Sequence, residues 1–376
     1  MKIQPFALER YFARHEFSAR HLLSSSDCES LTMAQLLRTA DPETMALWEN
    51  LKLGYTETPG HPALREAVAE IYDGLTADDI LVVVPEEGIF LLMNALLRPG
   101  DHVVCAFPGY QSLYEIARSI GCTVDTWQPD EDRGWHFDVG DLERKLRPDT
   151  RLIVVNFPHN PTGFLPAFGD YAEVIELARS RGAYLFSDEM YRYLEVDKAD
   201  TLHSACELYG RAFSLFGLSK SFGVPGLRVG WVASRDRDGL DRMSMLKDYT
   251  TICASAPSEI LAIMALKSRK SIISGHRERL LNNLAVLDRF FAEYPDCFQW
   301  VRPKGGSICF PRLKIDQGAE AFCDTLVEKT GIMLVPSTLF GYGDTHVRIG
   351  FGRENLPDVI DRFAGYLDAT FRSGKS

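Results

Sequence analysis

From Ile80 onward the sequence alternates short apolar runs with helical ones, and this alternation restricts the fold more than any other feature of the chain. Ile80–Val84, His102–Ala106, Thr123–Trp127, Leu152–Asn156, Tyr184–Ser187 and Ala212–Phe216 read as strands. Between them Gly88–Leu97, Tyr110–Ile120, Leu142–Leu146 and Tyr171–Ser180 read as helices. Continuous apolar strands separated by helices predict an α/β fold: a mostly parallel sheet with helices on both faces. Ligands in such folds bind outside the carboxyl ends of the strands, so the informative residues should lie just past each apolar run. After about Ser268 the pattern changes to a long helix, Ile272 to Tyr294, short strands at Gln299–Val301, Ser307–Phe310, Ile332–Val335 and His346–Ile349, and a terminal helix, Leu356–Phe371. That pattern predicts a smaller α+β domain. The expected division is a large domain over 45–268 and a small domain made of 269–376 with the N-terminal segment 1–44.

The first fifty residues hold an amphipathic segment, Pro5 to Leu23, and the polar cluster Ser24-Ser25-Ser26-Asp27-Cys28-Glu29. Such a cluster ordinarily caps a helix or makes a turn. The competing reading makes it a hydrogen-bonding lip over a substrate, with Ser26 in contact. The turn-rich stretch Leu53–Gly60 precedes a helix from Pro62 to Tyr72, where proline suits the first turn. A net charge of −11 argues against nucleic acid or an anionic membrane as partner. The longest apolar run, Gly88 to Leu97, is too short to span a bilayer. Met1 to Phe17 lacks a signal-peptide pattern, and the eight cysteines include no C-x-x-C pair, so reduced thiols and a cytoplasmic location are expected. Nine histidines without metal-ligand spacing predict no metal.

The strand ends carry the chemistry. Ala212–Phe216 runs into Gly217-Leu218-Ser219-Lys220-Ser221-Phe222-Gly223-Val224-Pro225-Gly226-Leu227-Arg228-Val229-Gly230. A loop lysine is ordinarily a solvated surface group. Here glycines and Pro225 crowd the backbone, which suits close approach to a ligand. A desolvated lysine can form an imine, and an arginine eight residues on can clamp a phosphate. Other strands are followed by Phe107-Pro108-Gly109-Tyr110, by Phe157-Pro158-His159-Asn160-Pro161-Thr162-Gly163 and by Asp188-Glu189-Met190-Tyr191. Taken singly, these are explained by core packing, a proline-rich turn and a helix cap.

Taken together, Tyr110, Asn160, Asp188, Tyr191, Lys220, Arg228 and Arg348, in that order at successive strand ends, resemble fold-type I pyridoxal-phosphate enzymes of the class I/II aminotransferase family. The motifs are N-P-T-G at Asn160–Gly163, D-x-x-Y at Asp188–Tyr191, S-K-x-F-G-x-P-G-x-R-x-G at Ser219–Gly230 and R-I-G-F at Arg348–Phe351. The resemblance runs from about Tyr55 to the C-terminus. It implies pyridoxal 5′-phosphate held by Lys220 as a Schiff base, with Lys220 then moving the proton between the substrate Cα and the cofactor. Asp188 would face the pyridine nitrogen. Tyr110 would stack on the ring, and Asn160 and Tyr191 would donate to its phenolate oxygen. Ser219, Arg228 and the helix start at Glu86, Glu87 and Gly88 would hold the phosphate. Arg348, with Asn160 and Ser26 nearby, would take the substrate carboxylate. Tyr55 matches a tyrosine that reaches a neighbouring subunit's phosphate, implying a homodimer with shared active sites.

Three departures stand out. Gly217 replaces the usual phosphate-binding hydroxyl three residues before the lysine. Pro85-Glu86-Glu87-Gly88 replaces a run of glycine and small polar residues. A carboxylate about 5 Å from a phosphate charge costs roughly 3 kcal/mol at an effective dielectric of 20, so both glutamates should point away from it. An acid at the pocket edge would favour a cationic amino acid. The third departure, Gly305-Gly306-Ser307, places a smaller residue where the family has an aromatic one and is expected to widen the substrate pocket. The implied activity is transfer of an amino group between an L-amino acid and a 2-oxo acid. The serine cluster, the Asn156–Pro161 stretch and the Lys220 loop are also similar to capreomycidine synthase, a family member that eliminates and cyclises on an arginine-derived substrate. There His159 is the candidate extra acid/base, against a purely supporting hydrogen bond. A ligand-sensing domain of a transcription regulator is disfavoured, because the chain has neither room nor basic charge for a DNA-binding module. Lys247-Asp248-Tyr249-Thr250-Thr251 offers no arginine, which speaks against a dicarboxylate specialist.

Overall fold

The computed structural model describes residues 2–372. Its centre is a seven-stranded sheet: β1 (Ile80–Val83), β2 (His102–Ala106), β3 (Thr123–Trp127), β4 (Thr150–Asn156), β5 (Tyr184–Asp188), β6 (Ala212–Gly217) and β7 (Gly230–Ala233). The spatial order is β1-β7-β6-β5-β4-β2-β3. Strands β3, β2, β4, β5 and β6 pair in parallel, while β7 runs antiparallel to both β6 and β1. Every residue of β1, β2, β5, β6 and β7 is buried, which is why the parallel strands read as unbroken apolar runs. One sheet face packs on helices Pro85–Leu96, Ser112–Ile120 and Arg237–Lys247 through Leu92, Ile116, Phe213 and Met243. The other packs on helices Val139–Lys145 and Phe168–Arg181 around Ile153, Tyr171 and Ile175, and on Pro62–Ala69 and Ala256–Lys267 around Val82, Trp231 and Ile263.

The sequence reading has no counterpart for β7, and four strands and the four helices read between the strands of the large domain shift by one to a few residues. Two shifts bear on the site, because Asp188 and Gly217 belong to their strands instead of following them. The connections from β2 to β3 and from β4 to β5 leave in opposite directions, opening a crevice at the carboxyl ends of β2 and β4. Tyr110 and Asn160 follow those two strands.

Beyond helix Arg269–Glu293 lies a smaller domain with a three-stranded antiparallel sheet (Ile308–Cys309, Val347–Gly350, Val335–Pro336) and the pair Phe298–Gln299 with Arg312–Leu313. Its core is aromatic, with Phe290 stacked on Phe363 at 5.3 Å. The expected single strand Ile332–Val335 is divided. Ile332–Met333 pairs in parallel with His21–Leu22, and Val335–Pro336 pairs with Val347 and Arg348. The expected amphipathic segment Pro5–Leu23 forms helix Ala7–His15, pinned by Ala7 N donating to Gln111 Oε1 at 2.9 Å and Tyr11 Oη donating to Leu334 O at 3.0 Å. Among the described residues no helix is long and apolar enough to cross a membrane.

Candidate active site

Lys220 lies three residues past β6 and is half-buried. Its Nζ donates to Ser26 Oγ at 2.8 Å and stands 6.0 Å from the centre of the Tyr191 ring. Ser307 Oγ donates to the Ser26 carbonyl at 2.7 Å, and Ser24 O accepts from Arg348 Nη2 at 3.0 Å. The serine cluster is therefore a lip over the lysine, and the helix-cap reading is corrected. The reason is backbone packing: Gly350 N donates to Leu23 O at 2.8 Å, and a Cβ on Gly350 would stand 1.7 Å from Ser25 O. Only glycine lets the strap lie on that strand.

Asp188 ends β5 at 5% exposure. Its Oδ1 accepts from Met190 N at 3.1 Å, and among the described residues it has no ion-pair partner. Burial pushes its carboxyl up to about 7, with Glu189 and Glu86 adding to the rise and the Met190 N–H and Lys220 opposing it. Arg348 is 1% exposed. Its Nη1 donates to Asn160 Oδ1 at 3.3 Å, its Nε has no hydrogen-bond partner, and no carboxylate pairs with it among the described residues. Asn160 N donates to Asn156 Oδ1 at 2.8 Å, and with Oδ1 used by Arg348 only the amide NH₂ remains to donate elsewhere. The site thus holds a buried acid and a buried cation with no salt bridge between them, and ionising the acid is costly unless a ligand of opposite charge arrives.

Tyr110 packs on Phe6 with ring centres 4.9 Å apart, and its hydroxyl donates to Glu9 Oε1 at 3.3 Å. Burial, Glu86 and Glu9 push its phenol far above the ordinary range. Glu9 was not legible in the sequence, since 101 positions separate it from Tyr110. The two glutamates after β1 divide. Glu87 Oε1 accepts from Thr250 Oγ1 at 2.5 Å and Thr251 Oγ1 at 2.8 Å. Glu86 Oε2 accepts from Ser112 Oγ at 3.2 Å, and burial pushes its carboxyl up to about 7. Both line a cleft of about 390 Å³ with Phe6, Phe90 and Gln111. Gly88 spends its N–H on Val84 O at 2.9 Å, leaving the N–H groups of Glu86 and Glu87 free at the helix start. Ser219 is buried, and Arg228 is exposed, in left-handed backbone at φ 55°, with Nη1 donating to Pro225 O at 3.2 Å. A Cβ on Gly217 would stand 3.1 Å from both Gly230 Cα and Pro85 Cγ, so the missing hydroxyl has a steric cause. His159 is buried against Phe137 and shares a 2.8 Å hydrogen bond through Nδ1 with Thr162 Oγ1. Burial holds its imidazole down at about 3, so it is neutral, as a supporting hydrogen-bond partner should be. Tyr55 is 90% exposed on a separate cleft of about 630 Å³, away from Lys220.

The description "Aminotransferase class I and II" matches residues 22–363. The chain belongs to that family. It is 31% identical over 92% of its length to capreomycidine synthase of Streptomyces vinaceus, covering 88% of that protein. Among solved structures it is similar to a PLP-dependent aminotransferase from Streptococcus suis 89-1591, with TM-score 0.92, 33% identity and coverage of 98% of this chain and 99% of that one. The PLP-dependent cyclase OrfR superposes with TM-score 0.90 at 29% identity, covering 98% of both chains. The protein is a PLP-dependent enzyme of fold type I, and its cofactor is pyridoxal phosphate. The residues present fit that group. Asp188 is a buried acid lacking a cation, Glu86 and Glu87 present free N–H groups beside Arg228, and Lys220 points at a hydroxyl instead of a carboxylate.

Proposed function

We propose that this enzyme transfers an amino group between an L-amino acid and a 2-oxo acid, acting as a cytoplasmic homodimer whose Tyr55 reaches the neighbouring site. The observation that carries the reading is a half-buried lysine, Lys220, in a site with a buried acid, Asp188, and a buried guanidinium, Arg348, neither of which has a salt-bridge partner among the described residues. Lys220 would carry the cofactor, Asp188 would meet its ring nitrogen, Tyr110 its ring, and Arg228, Ser219 and the Glu86–Glu87 backbone its phosphate. Bound pyridoxal phosphate supplies an electron sink for the bond broken at the substrate Cα. Arg348 takes the substrate carboxylate through its planar fork, and Asn160 holds that fork in plane. Lys220 Nζ would accept the Cα proton, and the Ser26 hydroxyl orients it. Tyr191, at 3% exposure, excludes water from that face.

A second reading, elimination and cyclisation on a cationic arginine-derived amino acid, is favoured by the likeness to capreomycidine synthase and to OrfR and by Glu86, Glu87 and Glu9 lining or adjoining the site. One experiment separates the two. Holoenzyme is incubated with a single amino donor and no acceptor. Stoichiometric 2-oxo acid with the cofactor recovered as its amine supports transfer, while a cyclised product, or ammonia with the cofactor unchanged, sinks it. Equal activity on leucine and arginine would remove the role given to the glutamates.

A further inference from the structure

Between helix Arg269–Glu293 and the segment after β5 that carries Tyr193 and Lys198 lies a groove of about 530 Å³. It is lined by four cations, Lys198, Arg269, Lys270 and Arg277, against one acid, Glu70, in a chain whose net charge is −11. Arg277 is only 9% exposed. Its Nε and Nη2 donate to the Glu195 carbonyl at 3.1 and 2.8 Å, while Nη1 has no partner and no carboxylate pairs with it among the described residues. A buried guanidinium satisfied only by carbonyls is an uncompensated charge. The ammonium groups of Lys198 and Lys270 also lack partners among the described residues, and Arg269 reaches Glu70 only at 3.8 Å. Arg269 and Lys270 occupy the first turn of a 25-residue helix that has no acid there, where like charge meets the positive end of the helix dipole. Such an arrangement is relieved by a bound anion. The remaining wall is apolar: Ile71, Ile273 and the half-buried ring of Tyr193, which is held in left-handed backbone at φ 72°.

We propose that this groove binds a small phosphorylated molecule with an apolar or aromatic body, its phosphates between Arg277, Lys198 and Lys270 and its body on Tyr193. Two or more negative charges are needed to balance the surplus of cations, which a lone carboxylate does not offer. The site is separate from the cofactor's phosphate position, because no residue of the groove belongs to the Lys220 centre.

The test uses holoenzyme, so that the cofactor already occupies its own phosphate position. Adenosine 5′-triphosphate and inorganic pyrophosphate are titrated calorimetrically, with adenosine as the uncharged control. Both phosphates should bind one per chain, adenosine should not, and raising the salt should weaken binding. Lys198→Glu with Lys270→Glu should weaken binding at least tenfold while leaving cofactor absorbance and melting temperature unchanged. The proposal is overturned by absence of saturable binding at millimolar ligand, by binding undiminished in the double variant, or by binding seen only after the cofactor is removed.

Discussion

Asp188→Asn should stabilise the cofactor-free protein while crippling the holoenzyme. The Asp188 carboxyl is moved from its ordinary 3.8 to about 7 by burial. At about 1.4 kcal/mol per pH unit, that displacement corresponds to about 4 kcal/mol. The sign follows from which state holds the proton. Below pH 3.8 the group is neutral in both folded and unfolded chains and costs nothing. As pH rises toward 7 the unfolded chain loses the proton first, so native stability falls across that window and levels off above it. Asparagine keeps the acceptor for Met190 N, removes the charge and should abolish this contribution. The assay is urea unfolding of apo-protein at pH 4.5 and pH 8.5. Differencing wild type against variant removes the parallel contribution of Glu86, also held near 7. The variant should lose about 2–4 kcal/mol less stability than wild type across the interval, while its affinity for pyridoxal phosphate, read by absorbance titration, falls sharply. Equal pH slopes in the two proteins, or a variant less stable at pH 8.5, would refute the claim that Asp188 is an uncompensated buried acid awaiting a cation.

Lys220→Ala should abolish turnover and the imine absorbance band, yet cost only about 1 kcal/mol of stability, the worth of its hydrogen bond to Ser26. Arg228→Ala should chiefly weaken cofactor retention, measured as faster loss on dialysis. Arg348→Lys should lower kcat/KM roughly a hundredfold, mostly through KM, because an ammonium cannot reproduce the planar fork held by Ser24 and Asn160; an unchanged KM would remove Arg348 from carboxylate recognition. Gly217→Ser should destabilise the protein by about 1–3 kcal/mol without tightening the cofactor, since the added Cβ meets Gly230 and Pro85. Tighter cofactor binding in that variant would show that the strand can yield.

The parallel strands were readable because burial on both faces leaves continuous apolar sequence, and the residues past them were readable because the fold puts ligands there. The strand β7 was not, since its four residues sit at the end of a glycine-rich loop and give too short a pattern to separate from it. The lip formed by Ser24 and Ser26 was readable only as one of two alternatives, for a different reason. Its partners lie 194 and 324 positions away, and no local signal distinguishes a serine that caps a helix from one that meets a distant lysine. The tie of Glu87 to Thr250 and Thr251 is invisible for the same cause.

The strap that carries Ser24 and Ser26 also sets an order of events during synthesis. Arg348, whose strand anchors that strap, follows Lys220 by about 130 residues, on the order of ten seconds of elongation. On the proposed roles, the sheet residues with Asp188 and Lys220 would thus be synthesised before the carboxylate clamp and before the strand that seats the lip. A vitamin-derived aldehyde meeting that chain would find its proposed holders already made, whereas an amino acid would lack Arg348. The architecture favours loading first and recognition last.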